Sequence, residues 1–481
     1  MLKLGNGHTQ VRYLLKAMAQ DAHGQQRLSQ IWRPVYDQVV SNQSVAGFFK
    51  WLQSSLTYHN TVLPLTPELS RSLYGDILAV SVSQLELYNR DPFSYYLKYG
   101  LKLKERPSFQ LDSLQTGNYF HEMLDHFFKE VNQKDFDLAN LSDGEVKEIL
   151  GEVTDKLNDP DVYPEYTIFK VNHRNSYLQE SMKETIQLLI ENMIKQRQAV
   201  NVKTIETEQR FGYTQNEDEE VETITHFTLA NGQEVRLRGK IDRIDAVSQV
   251  ENGLEQNFIQ VVDYKSSAHD VKFDQIYVGS QLQLYTYLKV ALDQLNQDGQ
   301  TALPLGAFYQ RIFQPQVKIE KQTDLTDKNI ADQILADLKL SGYVRADYDL
   351  LEDIHSEGLE PGGKSSVYAV SRKKDGDFAK AAKVLTKDEL NKLLAFVEEK
   401  IVATAEQIVS GHIALDPLDD DPYIPSMTEP YRSVSMFDAT DYTNKYRPNP
   451  SMDQDEFFQA LMTDAHVDEN VAEEDQTDDE E

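Results

Sequence analysis

Apolar residues recur every three to four positions over 10–18, 26–40 and 48–56, a spacing that predicts three helices at the start of the chain. Leu65-Thr66-Pro67-Glu68-Leu69 reads as a further helix start, with proline at the first helical position. Ser83 and Glu86 have capping-box spacing and open a short helix that Pro92 interrupts. Residues 117–131 carry the stripe Phe120, Leu124, Phe127, Phe128 and Val131 and predict an amphipathic helix. Helical spacing also covers 147–157 and 174–198. The pattern then turns strand-like over 203–212, 222–229, 233–247 and 258–264. A helix over 280–295, an apolar strand over 303–312 and helices near 328–340 and 387–410 follow. Helix, several strands, helix, strand is the order of a mixed α/β sheet flanked by helices.

Candidate chemistry concentrates in 239–267, two extended segments joined by a polar loop containing Asn252-Gly253. Phe258-Ile259-Gln260-Val261-Val262 is apolar and β-branched, as a buried strand should be, and it changes abruptly to Asp263-Tyr264-Lys265. Side chains alternate along a strand, so Asp263 and Lys265 share a face. Asp242 comes alongside if the two segments pair as a hairpin. Two carboxylates beside one lysine repel unless something compensates, and a divalent cation is the usual compensator. An Asp-x-Lys pair alone is ordinarily a solvated surface pair. Here it has company: Gly239-Lys-Ile-Asp-Arg-Ile-Asp245 upstream, and Gln283 and Tyr287 one helical turn apart downstream. Gln281 and Tyr285 repeat that spacing, so the register stays open. His121 sits beside an apolar helix face, where a histidine is usually structural.

The net charge is −31, yet residues 416–481 hold 20 acidic residues against three basic ones, which leaves −14 on the other 415. A basic groove is compatible with that body, and Lys98 to Arg106 and Arg372-Lys373-Lys374 are candidates to line it. There is no cysteine, which excludes disulfides and thiolate-held zinc or iron–sulfur clusters. No apolar run approaches the roughly 18 residues of a membrane helix. The first twenty residues lack an export signal, so a soluble, cytoplasmic protein is expected. Residues 358–365 satisfy the letter of a G-x-x-x-x-G-K-S phosphate loop. An acidic stretch precedes them, however, and 367–370 looks like a strand where a helix should begin, so ATP binding is not expected there.

G-x-I-D-R-I-D, then V-D-Y-K-S, then Q-x-x-x-Y resembles the RecB-type branch of the PD-(D/E)xK nucleases. The blocks at 81–106, 116–124, 304–312 and 430–438 narrow the resemblance to the AddB/RexB family of helicase–nuclease subunits, from about residue 60 to about 440. The resemblance implies a restriction-endonuclease-like core over 81–440, a helical remnant of a helicase-like region over 1–80 and, with the composition, a disordered acidic tail over 441–481. The family's chains are far longer, so a fragment is expected. The resemblance makes His121 a metal ligand through G-x-x-x-H-x-x-L. With Asp242, Asp263 and the backbone carbonyl of Tyr264 it would hold magnesium, or manganese in its place. Asp242, Asp263 and Lys265 would be catalytic, and Gln283 and Tyr287 would contact substrate. Relatives with an iron–sulfur cluster carry cysteines where this chain has Asp91, Ser426, Glu429 and Ser435. The implied activity is 5′-to-3′ exonucleolytic degradation of an unwound DNA strand, in a heterodimer with the AddA/RexA helicase–nuclease, during recombinational repair of double-strand breaks. Two alternatives stay open: a free-standing single-strand exonuclease, and a non-catalytic DNA-end-binding or scaffold piece.

Overall fold

The computed structural model describes residues 7–22, 26–54, 56, 60–104, 113–212, 226–251, 254–297, 299, 301–315, 326–419, 431–439 and 444–463. Helices α1 (Gly7–Ala22), α2 (Arg33–Ser41), α3 (Gln43–Ser54) and α4 (Pro67–Tyr74) precede β1 (Ile77–Ser81), α5 (Val82–Arg90) and the single turn α6 (Pro92–Tyr95). Next come α7 (Ser113–Gln133), α8 (Asp143–Leu157) and α9 (His173–Ala199), then β2 (Lys203–Phe211), β3 (His226–Thr228), β4 (Glu234–Glu251) and β5 (Leu254–Lys265). The chain continues through α10 (Phe273–Val278), α11 (Gln283–Gln297), β6 (Ala302–Arg311), α12 (Asp327–Asp337), β7 (Ser341–Arg345), α13 (Tyr348–Ile354), β8 (Val384–Leu385) and α14 (Lys387–Val409). Among the described residues no helix is long and apolar enough to cross a membrane.

The strands form one mixed sheet in the order β1-β4-β5-β6-β7-β8, with β2 and β3 also paired to β4. β5 is apolar on both faces because it has a core on each side. Phe258 and Val262 join the core built with α7, α8 and α9, whereas Ile259 and Val261 join the core built with α5, α11 and α14. β5 and β6 run parallel, so the chain must cross over between them, and α10 and α11 make that crossing.

Several expectations need correction. The capping box lies at Ser81 and Gln84, because β1 runs to Ser81 and the helix starts immediately after it. Residues 367–370 form no strand; Val367, Tyr368 and Val370 are apolar because they pack under the sheet. Of the strand expected over 222–229, residues 222–225 lie outside the described residues, as does the Asn252-Gly253 loop. The acidic tail is expected from 441, but residues 444–463 pack onto the body and are helical over 454–463. Phe457 is fully buried against Phe273 and Phe396, with ring centroids at 5.2 and 5.3 Å. Two adjacent phenylalanines anchor a segment whose average composition is acidic. At the other boundary, β1 begins at Ile77, inside the expected helical remnant.

Candidate active site

β4 and β5 pair antiparallel with Arg243 opposite Val262, a register that carries Asp242 next to Asp263. The Tyr264 amide donates a hydrogen bond to Asp242 Oδ2 (2.7 Å). On the other side of β4, Thr207 of β2 faces Arg243 and Gln209 faces Ile241, which brings Glu208 to Asp242. Glu208 has φ +50°, a left-handed conformation that costs a non-glycine residue about 1–2 kcal/mol. Such strain persists where the surroundings hold it in place. Here the holders are charged. His121 Nδ1, on α7, lies 3.5 Å from Glu208 Oε1 and 3.2 Å from Asp242 Oδ1, and Lys240 pairs with Glu208 Oε2.

The ligand-type atoms of His121, Glu208 and Asp242 all lie within 4.8 Å of one another. Burial acts to lower the His121 pKa, but the two carboxylates outweigh it and carry it up to about 10. Two carboxylates and one imidazole at this spacing fit a hard divalent cation of the magnesium or manganese type. Asp263 is buried close by but is turned to a different partner: its Oδ2 is 2.6 Å from Lys265 Nζ. Burial pushes the Asp263 carboxyl up, Lys265 pulls it down and Asp242 pushes it up further.

From Lys265 a polar chain runs to the next helix. Lys265 Nζ donates to Gln283 Oε1 (3.1 Å), and Gln283 Nε2 donates to the Tyr287 hydroxyl (3.0 Å). Of the two possible registers on α11, the structure turns Gln283 and Tyr287 to this cluster. Gln281 instead binds the backbone of Asp270 and Lys272. The start of α11 is held from below by Glu86, whose Oε1 accepts the amides of Leu282 (2.7 Å) and Gln283 (2.8 Å). Gly239 permits the closure: a Cβ there would meet the Phe211 ring at 2.6 Å and the Tyr287 ring at 3.3 Å.

The opposite face of the same strands is locked by a buried polar network. Arg243 Nε binds Asp245 (3.1 Å) and its Nη1 binds the Tyr264 hydroxyl (3.3 Å). Gln260 Nε2 donates to Asp245, and Gln260 Oε1 accepts from the Tyr368 hydroxyl. Tyr264, between Asp263 and Lys265, is therefore held by its amide on one side and its hydroxyl on the other.

The sequence alone does not single out Glu208, Lys240 or Glu86 as site residues. Glu206 and Glu208 look alike along the strand, and only the pairing with β4 selects Glu208. Of the four positions where the resemblance implies cysteine in cluster-bearing relatives, Asp91 caps α6 by accepting the amides of Phe93 and Ser94 and the Ser94 hydroxyl. The Ser435 carbonyl accepts from the Asn60 side chain, and Ser426 and Glu429 lie outside the described residues. Arg447 ties this region together, donating to the carbonyls of Asn89 and Asp416. The 358–365 loop opens no helix; its Ser365 hydroxyl is buried and engaged with His355 and the amides of Val367 and Tyr368.

A mixed sheet covered by helices on both faces, with acidic residues and a lysine at the end of its central hairpin, defines a class. The model of the PD-(D/E)XK nuclease superfamily matches residues 79–420, and the chain belongs to that superfamily. Over nine-tenths of its length the chain is also similar to proteins named as the B subunit of an ATP-dependent helicase/deoxyribonuclease. The one from Latilactobacillus sakei is 31% identical over 463 residues, covering 94% of this chain and 38% of the relative. Its counterpart from Lactiplantibacillus plantarum is 32% identical over 440 residues, covering 90% and 36%. The chain thus spans somewhat more than a third of the length of these relatives.

Proposed function

We propose that this chain is the nuclease portion of a helicase–nuclease B subunit. In this reading it is a magnesium-dependent deoxyribonuclease that degrades an unwound strand exonucleolytically, 5′ to 3′, alongside an AddA/RexA-type helicase–nuclease in recombinational repair of double-strand breaks. The observation that carries the reading is the meeting of His121, Glu208 and Asp242 with the Asp263–Lys265 pair at one strand end. The relatives' name adds support for DNA as substrate and for a partner chain.

His121, Glu208 and Asp242 would hold the cation, Glu208 joining the set of His121, Asp242, Asp263 and the Tyr264 carbonyl that the resemblance implies. A divalent cation bound there supplies Lewis acidity, polarising a phosphate oxygen and lowering the pKa of water. Lys265, pinned between Asp263 and Gln283, presents a cation that orients the attacking water and neutralises charge growing on the phosphate. Preorganised charge of this kind stabilises a transition state by about 3–4 kcal/mol. Gln283 and Tyr287 offer an amide and a phenol to the DNA strand.

The direct test incubates the chain with end-labelled single-stranded DNA and magnesium, beside Lys265→Ala and Asp263→Ala. Wild type should cut, alone or with the helicase partner added, and each variant should be slower by roughly 10²–10³. Equal cutting by all three proteins would remove the site assignment. Silence of wild type even with the partner would remove the nuclease reading, and the position of the label reads the polarity.

A further inference from the structure

We propose that the groove between β1, the start of β4 and the segment after α6 is a binding track for single-stranded DNA that feeds the carboxylate cluster; the choice of DNA rests on the nuclease reading above. The groove has a volume of about 690 Å³, and Lys98, Lys102, Lys104 and Arg238 line it together with Tyr74 and Tyr99. Among the described residues no carboxylate lines it. In a chain of net charge −31, four cations converging without an acid make a built electrostatic feature. The acids at its margin are engaged elsewhere, Asp76 with Arg71 and Glu234 with Arg236.

The backbone that delivers the lysines departs from regular helix. Tyr96–Gly100 is a π-turn and Lys102 has φ +55°, two costly features of the kind found where surroundings hold a functional segment. The holders are visible: the Leu103 amide donates to the Leu97 carbonyl (3.0 Å), and the Tyr431 hydroxyl donates to the Leu103 carbonyl (3.0 Å). Tyr74 and Tyr99 are half-buried and flank the buried Tyr95, with ring centroids 5.9 and 5.2 Å away. Aromatic rings beside a row of cations suit unstacked bases on a charged backbone, which a duplex does not offer.

The track points at the cluster. Arg238 and Lys240 stand two residues apart on β4, hence on one side of the strand and about 7 Å apart along it. Lys240 is the partner of Glu208. The row of cations therefore leaves the groove and ends on the candidate metal ligands.

The test measures fluorescence anisotropy of a labelled oligothymidylate with the full chain in EDTA, where no cleavage occurs. It compares wild type with the triple variant Lys98→Glu, Lys102→Glu, Lys104→Glu and with Tyr99→Ala. The three lysines are exposed, and a circular dichroism melt checks that the fold survives. The triple variant should bind at least tenfold more weakly. Its slope of log affinity against log salt should fall by about 2, the value for three lost single-strand phosphate contacts. Tyr99→Ala should weaken binding with little change of slope. Equal binding by wild type and the triple variant, or no binding by wild type, would overturn the proposal. So would equal binding of a labelled polyglutamate peptide, which would make the groove a site for an acidic protein. If wild type binds through the groove but never cuts with magnesium, the track stands and the nuclease reading fails. Cutting that is indifferent to the triple variant at limiting DNA would have the opposite meaning.

Discussion

Glu208 is the residue at which local and tertiary information part most clearly. Its strained backbone and its buried carboxylate both make sense only beside His121, Asp242 and Lys240. Glu208→Gln keeps the shape and removes one charge, so manganese binding measured by calorimetry should weaken at least tenfold, and the urea midpoint should fall because His121 and Lys240 lose a charged partner. Unchanged affinity would take Glu208 out of the ligand set. Arg243 makes a different argument, since it is buried and paired with Asp245. Arg243→Met leaves Asp245 charged and buried without its partner, so urea unfolding should show a loss of about 3–5 kcal/mol. Adding Asp245→Leu should recover much of that, because both charges then leave the interior together. Asp242, Asp263 and Lys265 were legible in the sequence because strand alternation and a hairpin suffice to bring them together.

At the scale of elements, α11 shows how a helix start is aimed. Glu86 accepts the amides of Gln283 and of Leu282 just before it, so Glu86→Ala should cost about 1–2 kcal/mol, the upper part of the range for losing a helix cap. It should also loosen Gln283, raising KM for DNA more than a surface substitution does. The amphipathic pattern of 280–295 predicted this helix but left two registers open, and the contact with Lys265 separates them. The contact between His355 and the 358–365 loop carries a pH dependence. Burial lowers the pKa of His355 below its ordinary 6.5, against the hydrogen bond to the Leu351 carbonyl. The unfolded chain then takes up the proton more readily than the folded one. This contribution is complete above pH 6.5 and is lost as pH falls through 6.5 toward the folded value. Urea midpoints measured about one pH unit above and one below that value should therefore differ more for wild type than for His355→Gln.

For the whole molecule, closure of the chain onto its own body is the feature that composition concealed. Phe457 is fully buried among Phe273, Phe396 and Phe458. Phe457→Ala should destabilise by about 3–5 kcal/mol in urea unfolding, and a change under about 1 kcal/mol would show that the segment does not dock in solution. Asp91 and Arg447 tie the neighbouring segments together by hydrogen bonds, Asp91 holding the Ser94 hydroxyl and Arg447 donating to the Asn89 carbonyl.

The sequence by itself determined the alternation of helices and strands, the buried β5, the Asp-x-Lys at its end and the absence of any thiolate ligand, because each follows from neighbours a few residues apart. Tertiary structure decided what depends on pairing between distant segments. That includes Glu208 over Glu206, Gln283 over Gln281, Glu86 turned inward to cap α11, and an acidic-looking segment anchored by two phenylalanines. Strand register and core contacts join residues dozens to hundreds of positions apart, and no local period encodes them.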